Sequence, residues 1–195
     1  MATTYREIEL NIFSANDLRD VRYFGGKMSP YVVAWVHHDL KAYSPADVKG
    51  STDPSWHTKL LVYCNEDALH HPDEAVIYFE LHDAASTSDR LIGALSYPLS
   101  ELPGHIASSK EPSEPVFLNL PVKRPSGREQ GVLNISLKMG GVTQQPISSE
   151  DPHHVHHVQH GDGAMAPDDE SFLAGCCGLP HFPRDEQVGS NVTAH

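Results

Sequence analysis

Five histidines lie within eight residues in the last quarter of the chain: His153, His154, His156, His157 and His160. Imidazole nitrogen is a common ligand of zinc, nickel and copper. In a transient helix four of these histidines would share one face, but Pro152 and Gly161 oppose a stable helix. The pattern therefore predicts weak, adaptable chelation of zinc, nickel or copper. A low-complexity tract without a metal function is the alternative.

An apolar island further along contains an adjacent cysteine pair, Cys176 and Cys177. Neighbouring thiols in an exposed apolar segment are typical targets of S-acylation, and two acyl chains anchor a protein to a membrane more firmly than one. The alternatives are a short motif that binds a partner protein, or no function. The remaining cysteine is Cys64, so the chain has no disulfide framework, and we expect a reducing compartment.

The other chemistry-bearing residues form no pattern typical of catalysis. No Gly-rich phosphate loop, nucleophile elbow or paired-cysteine zinc motif is present in the sequence, so we expect no enzymatic activity. The net charge of −12 disfavours binding to nucleic acid. No apolar stretch approaches the ~18 residues of a transmembrane helix, and the N-terminus has no signal-peptide pattern. We therefore expect a cytoplasmic protein without a transmembrane segment.

The composition changes near residue 140 and divides the chain in two. Residues 1–140 contain 13 basic and 18 acidic residues, whereas residues 141–195 contain 1 and 8. The second region is rich in Pro, Gly, Ser, His and Asp, and it cannot bury enough apolar surface to offset the entropy of ordering. We predict one domain over residues 1–140 and a disordered, His-rich acidic tail over residues 141–195.

The domain must be built from strands, because its apolar residues recur with a period of two. Ile8, Leu10 and Ile12 alternate with polar residues, which is typical of a half-buried strand. The predicted strands lie at about 8–12, 31–36, 41–43, 59–63, 75–81, 91–97, 116–120 and 132–138. Eight short strands at this spacing predict an all-β antiparallel sandwich.

Four motifs in this domain, in order, resemble the C2 domain family. They are Ala15-Asn-Asp-Leu18, Gly26-Lys-Met-Ser-Pro-Tyr-Val32, Thr52-Asp-Pro-Ser-Trp56, and Leu81-His-Asp83 followed by Asp89-Arg-Leu-Ile-Gly93. The resemblance covers about residues 5–139 and is greatest to the small plant cold-regulated C2 proteins, which carry one C2 domain and a low-complexity tail. It implies an eight-stranded C2-type β-sandwich with the circularly permuted type II topology. It also implies a non-catalytic module that docks through loops at one end.

C2 domains typically bind calcium through five aspartates from two loops, and the resemblance places only part of that set here. Asp83 and Asp89 match the first and last aspartates of the third loop, and Asp20 is the nearest carboxylate in the first loop. Arg22 falls near the expected early aspartate, and Ser29 replaces the aspartate before Pro-Tyr-Val. Calcium takes 6–8 oxygen ligands. We therefore expect weak or lost calcium binding, with Asp83 and Asp89 in a solvated turn.

Without calcium, the first loop must contact a membrane by other means. Arg22, Tyr23, Phe24 and Lys27 put aromatic rings beside cations near the loop tip, a combination typical of a lipid–water interface. The alternative is that an aromatic ring packs beneath its own loop.

The sequence thus predicts a docking module for anionic membrane lipid and partner proteins. The resemblance suggests plant stress or defence signalling and peripheral association with the plasma membrane. A protein–protein adaptor without lipid affinity, and a metal-binding protein that acts through the His-rich tail, are the alternatives.

Overall fold

Alternating apolar residues place one face of the first strand in the core. The computed structural model describes residues 3–23, 25–71, 74–85, 88–102 and 114–147, which all belong to the first of the two units into which the chain divides. In the first strand, the side chains of Ile8, Leu10 and Ile12 are fully buried. The period-two prediction for this segment is confirmed.

The described residues form eight β-strands, paired antiparallel throughout. In chain order they are β1 (Tyr5–Asn16), β2 (Pro30–Trp35), β3 (Ala42–Tyr43), β4 (Ser55–Asn65), β5 (Val76–Asp83), β6 (Arg90–Pro98), β7 (Val116–Lys123) and β8 (Glu129–Thr143). Among the described residues, two single-turn 3-10 helices, Ala68–His70 and Leu99–Glu101, lie in the connections after β4 and β6. The predicted all-β class and the eight predicted strands are confirmed.

The strands follow the order β3-β2-β5-β6-β7-β8-β1-β4. A single residue pair, Ala94 opposite Lys123, joins β6 to β7, so the strands divide into two four-stranded layers. The first strand of the chain lies in the middle of its layer, where Leu10 stands opposite Leu60 of β4 and Leu137 of β8. This order confirms the predicted type II sandwich.

One apolar core fills the space between the two layers. Ile77, Phe79 and Leu81 project from β5, and Ile135 and Leu137 project from β8, all at most 1% exposed. Burial of apolar surface contributes roughly 25 cal/mol per Å². This core fixes both layers and therefore the loops that connect them.

Strand β8 continues past the boundary that composition placed at residue 140. The strand extends to Thr143, because Val142 and Thr143 pair with Arg6 and Tyr5 of β1. In the sequence, the pair Gly140-Gly141 is typical of the end of a strand. In the structure, Gly140 packs closely on β1, since a Cβ at this position would lie 3.2 Å from Cβ of Glu7.

Gly93 allows the two layers to approach each other at their seam. A Cβ at this position would lie 2.5 Å from Cγ1 of Val122 and 2.8 Å from the carbonyl oxygen of Lys123. We expect Gly93→Ala to lower the free energy of unfolding by about 1–3 kcal/mol, because the seam would be overpacked. Urea unfolding of the purified variant measures this loss.

Gly141→Ala is the matched control, because no atom lies within 4 Å of its added Cβ. We expect this change to alter the free energy of unfolding by no more than about 0.5 kcal/mol. Equal losses in the two variants would contradict the seam interpretation.

Candidate functional site: the loop end of the sandwich

Four connections meet at one end of the sandwich. The first loop (residues 17–29) joins β1 to β2, the second (residues 44–54) joins β3 to β4, the third loop (residues 84–89) joins β5 to β6, and the β7–β8 turn covers residues 124–128. The guanidinium of Arg90, at the start of β6, donates to the carbonyl oxygen of Val21 in the first loop at 3.1 Å. The strand order therefore brings together segments that are far apart in the sequence.

The first loop leaves β1 in a fixed direction because Leu18 is anchored in the core. Leu18 is 1% exposed, and its N–H donates to the carbonyl oxygen of Thr52 at 2.9 Å. Gly131 of β8, with φ +91°, passes so close that a Cβ would lie 2.9 Å from Cδ2 of Leu18. The N–H of Asp17 donates to Asp53 and holds the pKa of that carboxyl below its ordinary value.

The carboxylate of Asp83, at the end of β5, is fully buried beneath the loops. Its Oδ2 accepts from Nε of Arg22 at 2.7 Å, and its Oδ1 accepts from Nη2 of Arg22 at 2.9 Å and from the N–H of Ser29 at 2.7 Å. Nη2 also donates to the carbonyl oxygen of Ala84 at 3.1 Å. The hydrogen bond to Asp83 raises the pKa of the Arg22 guanidinium above its ordinary value. This bidentate pair fixes the first loop to the end of β5, and the bond to Ala84 extends the connection to the start of the third loop.

The other two predicted carboxylates at this end, Asp89 and Asp20, accept from nearby protein donors. Asp89 accepts from the hydroxyl of Tyr31 at 2.5 Å and from the N–H of Ala85 at 3.0 Å, which closes the third loop. Asp20 accepts from the N–H of Arg22 at 2.8 Å in an Asx turn. The strands therefore gather the three predicted carboxylates at one end, each occupied by a protein donor.

The expectation of a solvated turn is wrong for Asp83 and fits Asp89, which is exposed. Asp83 is 0% exposed, because the Arg22 guanidinium covers and neutralises it. Arg22, predicted beside Tyr23 at the membrane-facing tip, instead directs its charge inward, since a buried carboxylate without a cationic partner would be strongly destabilising.

The remaining residues of the predicted tip are only partly described. Tyr23 is 84% exposed, and Lys27 is exposed as well. Phe24 lies outside the described residues, and its predicted membrane contact stays a prediction. The alternative of an aromatic ring packed beneath its own loop is therefore wrong for Tyr23.

Sequence reasoning missed a group of three arginines beside this loop. Arg19, Arg90 and Arg124 line a pocket of ≈320 Å³ together with Tyr23 and Ser126. No spacing rule relates these arginines, because they come from the first loop, the start of β6 and the β7–β8 turn. Only the strand order brings them together.

Within residues 3–147, as far as they are described, no three His, Cys, Asp or Glu side chains lie close enough to hold a metal ion. The same residues contain no helix that is long and apolar enough to cross a membrane. The predicted tail sites lie outside the described residues and stay predictions: His153, His154, His156, His157 and His160 for metal, and Cys176 and Cys177 for S-acylation.

We expect Arg22→Gln to lower the free energy of unfolding by about 1–3 kcal/mol, because the buried Asp83 carboxylate loses its cationic partner. This range allows for the 25% exposure of the Arg22 side chain. Arg19→Gln is the matched control, since Arg19 lies in the same loop, is exposed and has no ion-pair partner among the described residues. Chemical denaturation compares the two variants, and equal stability would contradict a structural role for the Arg22–Asp83 pair.

Two curated plant proteins are similar to this chain. Protein SRC2 of Glycine max is 27% identical over an alignment of 197 positions, which covers 97% of this chain and 65% of that protein. The Protein SRC2 homolog of Arabidopsis thaliana is 28% identical over 138 residues, which cover 69% of this chain and 41% of that protein. The chain thus spans less than two thirds of the length of either relative.

Among solved structures, the C2A domain of a plant extended synaptotagmin 1 has the same fold. The two superpose with a TM-score of 0.53 at 17% identity, over 68% of this chain and 92% of that domain. The family model of the C2 domain matches residues 6–115, which is more than half of the chain. With the type II strand order and the four sequence motifs, this match identifies the chain as a member of the C2 domain family.

Proposed function

We propose that this C2 module docks on anionic membrane surfaces through its loop end without calcium. The observation that carries the proposal is the Arg22–Asp83 ion pair. With the bond from Arg22 to the carbonyl oxygen of Ala84, it joins the first loop to the start of the third, the two loops that the sequence resemblance assigned to calcium. The guanidinium neutralises Asp83 without a bound ion.

The donor set at this end does not fit a calcium ion. Both oxygens of Asp83 already accept hydrogen bonds from the protein, and Asp20 is turned toward the backbone of its own loop. Ser29 contributes its backbone N–H where a calcium site needs an oxygen ligand. A divalent cation at Asp83 would have to displace Arg22 or lie against its positive charge.

An exposed aromatic ring supports membrane contact by this end. Tyr23 presents most of its side chain to solvent, and Lys27 adds an exposed cation in the same loop. Tyrosine is favoured at lipid–water interfaces because its ring is apolar and its hydroxyl is polar. The loops are preassembled by the Arg22–Asp83 pair, so little ordering is needed on docking.

The cellular role that we infer is peripheral association with the cytoplasmic side of the plant plasma membrane, in stress or defence signalling. The similarity to two plant SRC2 proteins supports a plant setting. The His-rich tail and the cysteine pair would add metal binding or acylation to this role.

Co-sedimentation with vesicles of phosphatidylcholine and phosphatidylserine tests the membrane proposal. We expect the same bound fraction of the full chain in calcium and in chelator. Tyr23→Ser should weaken binding by about 3- to 10-fold, because the ring no longer enters the interface. Tyr78→Ser is the matched control, since Tyr78 is 44% exposed and lies on strand β5, not in a loop. Binding that requires calcium, or equal losses in both variants, would contradict the proposal.

Thermal unfolding tests the calcium part separately. A ligand that binds only the folded state raises the melting temperature. About 1 mM calcium is the dissociation constant of the weakest protein calcium sites. At this concentration we expect the melting temperature to shift by less than about 1 °C. A rise of several degrees would contradict replacement of the ion by Arg22.

A protein–protein adaptor is the second candidate function. One specific feature favours it, a cleft of ≈580 Å³ on the face of β5 and β6, whose lining includes Trp35, Tyr78 and Leu95. Lys41 lies over the ring of Trp35 at 4.4 Å and extends this aromatic surface. A folded chain that binds no vesicle, with or without calcium, would favour this function over membrane docking.

A further inference from the structure

The pocket lined by Arg19, Arg90 and Arg124, here called the arginine pocket, is a second feature of the loop end. Neither Arg22 nor Asp83 lines it. Its volume of ≈320 Å³ is at the lower end of the ~300–1,000 Å³ typical of small-ligand pockets. Its three guanidinium groups come from three separate segments of the fold.

None of the three arginines forms an ion pair with a carboxylate of the described residues. Arg90 donates to the carbonyl oxygen of Val21 at 3.1 Å, and Arg124 donates to the amide oxygen of Gln130 at 3.3 Å. Both acceptors are neutral, so they orient the guanidinium groups and leave their charge in place. Arg19 is exposed and has no hydrogen-bond partner within the described part of the chain.

Other basic side chains of the domain, in contrast, form ion pairs with carboxylates. Arg6 pairs with Glu66 at 2.6 Å, and Lys59 pairs with Glu9 at 2.9 Å. In a chain with a net charge of −12, carboxylates are abundant. Three arginines around one concavity, with Asp20 as the single carboxylate among its lining residues, therefore form a local positive site.

The chemistry of the lining favours a phosphate group. A guanidinium presents a planar fork of donors that matches phosphate oxygens in a bidentate arrangement. Three such forks suit a dianionic phosphomonoester better than the single charge of a phosphodiester. The hydroxyl of Ser126 offers a further donor, and Pro125 restricts the turn that carries Arg124.

We propose that the arginine pocket binds the phosphomonoester group of a membrane lipid headgroup. Tyr23 lines the same pocket and is 84% exposed, so an occupant would lie beside the ring that contacts the membrane. The choice of a lipid as the source rests on the proposed membrane docking. A soluble phosphomonoester has the same chemistry and is separated from the lipid by the experiment.

Vesicle co-sedimentation in chelator tests the pocket, with phosphatidylcholine vesicles that contain either phosphatidylinositol bisphosphate or phosphatidylserine at equal total charge. We expect the full chain to prefer the bisphosphate vesicles about tenfold, and Arg19→Gln, Arg90→Gln and Arg124→Gln each to remove most of that preference. Arg128→Gln is the matched control, because Arg128 is exposed in the same turn but does not line the pocket. Unchanged midpoints of urea unfolding verify that the variants fold. If Arg124→Gln does not fold, Arg124→Lys replaces it, because lysine keeps the positive charge but lacks the planar fork of donors.

The outcomes separate this proposal from membrane docking itself. Variants that keep phosphatidylserine binding but lose the preference support the arginine pocket. Equal effects of Arg128→Gln, or no preference in the wild-type chain, overturn it while docking stands. If no vesicle binds, docking fails, and calorimetry with soluble inositol trisphosphate decides the phosphate chemistry. If inositol trisphosphate binds and Arg90→Gln abolishes that binding, the result supports a phosphate pocket for a soluble ligand and overturns the lipid source. If inositol trisphosphate does not bind, the result overturns the pocket.

Discussion

A buried carboxylate is tolerated only when its charge and its oxygens are satisfied by partners, and this requirement organises the loop end of the molecule. Asp83 lies at the end of a core strand with no exposed surface. The chain meets the requirement with Arg22, whose guanidinium binds both carboxylate oxygens and the carbonyl oxygen of Ala84. The same carboxylate accepts from the N–H of Ser29, so both ends of the first loop segment 22–29 are tied to the end of β5.

The strand order explains why side chains from distant parts of the sequence meet there. Because β1 is central in its layer, the first loop begins from a rigid strand held on both sides by β4 and β8. The close approach of Gly131 to Leu18 places the β7–β8 turn beside the same loop. The arginine pocket is thus a product of the sandwich topology.

The sequence predicted the fold well, because strand periodicity and turn residues are local signals. The alternation of Ile8, Leu10 and Ile12, and the order of the four motifs, were sufficient for the type II sandwich. The site was predicted less completely, because its interactions are long-range. Arg22 was expected at the membrane-facing tip, but its pairing with Asp83 depends on the approach of the first loop to the end of β5. The extension of β8 through Gly140 depends likewise on its fit against Glu7 of the neighbouring strand.

The Arg22–Asp83 pair also has a consequence for timing. A bridge made from the chain's own side chains stays on the protein when it opens, whereas a bound ion diffuses away. Under the proposed calcium-independent docking, the shape of this end would not follow changes in calcium concentration. The response of the module would then be set by how much of the protein the cell makes and by when its target appears.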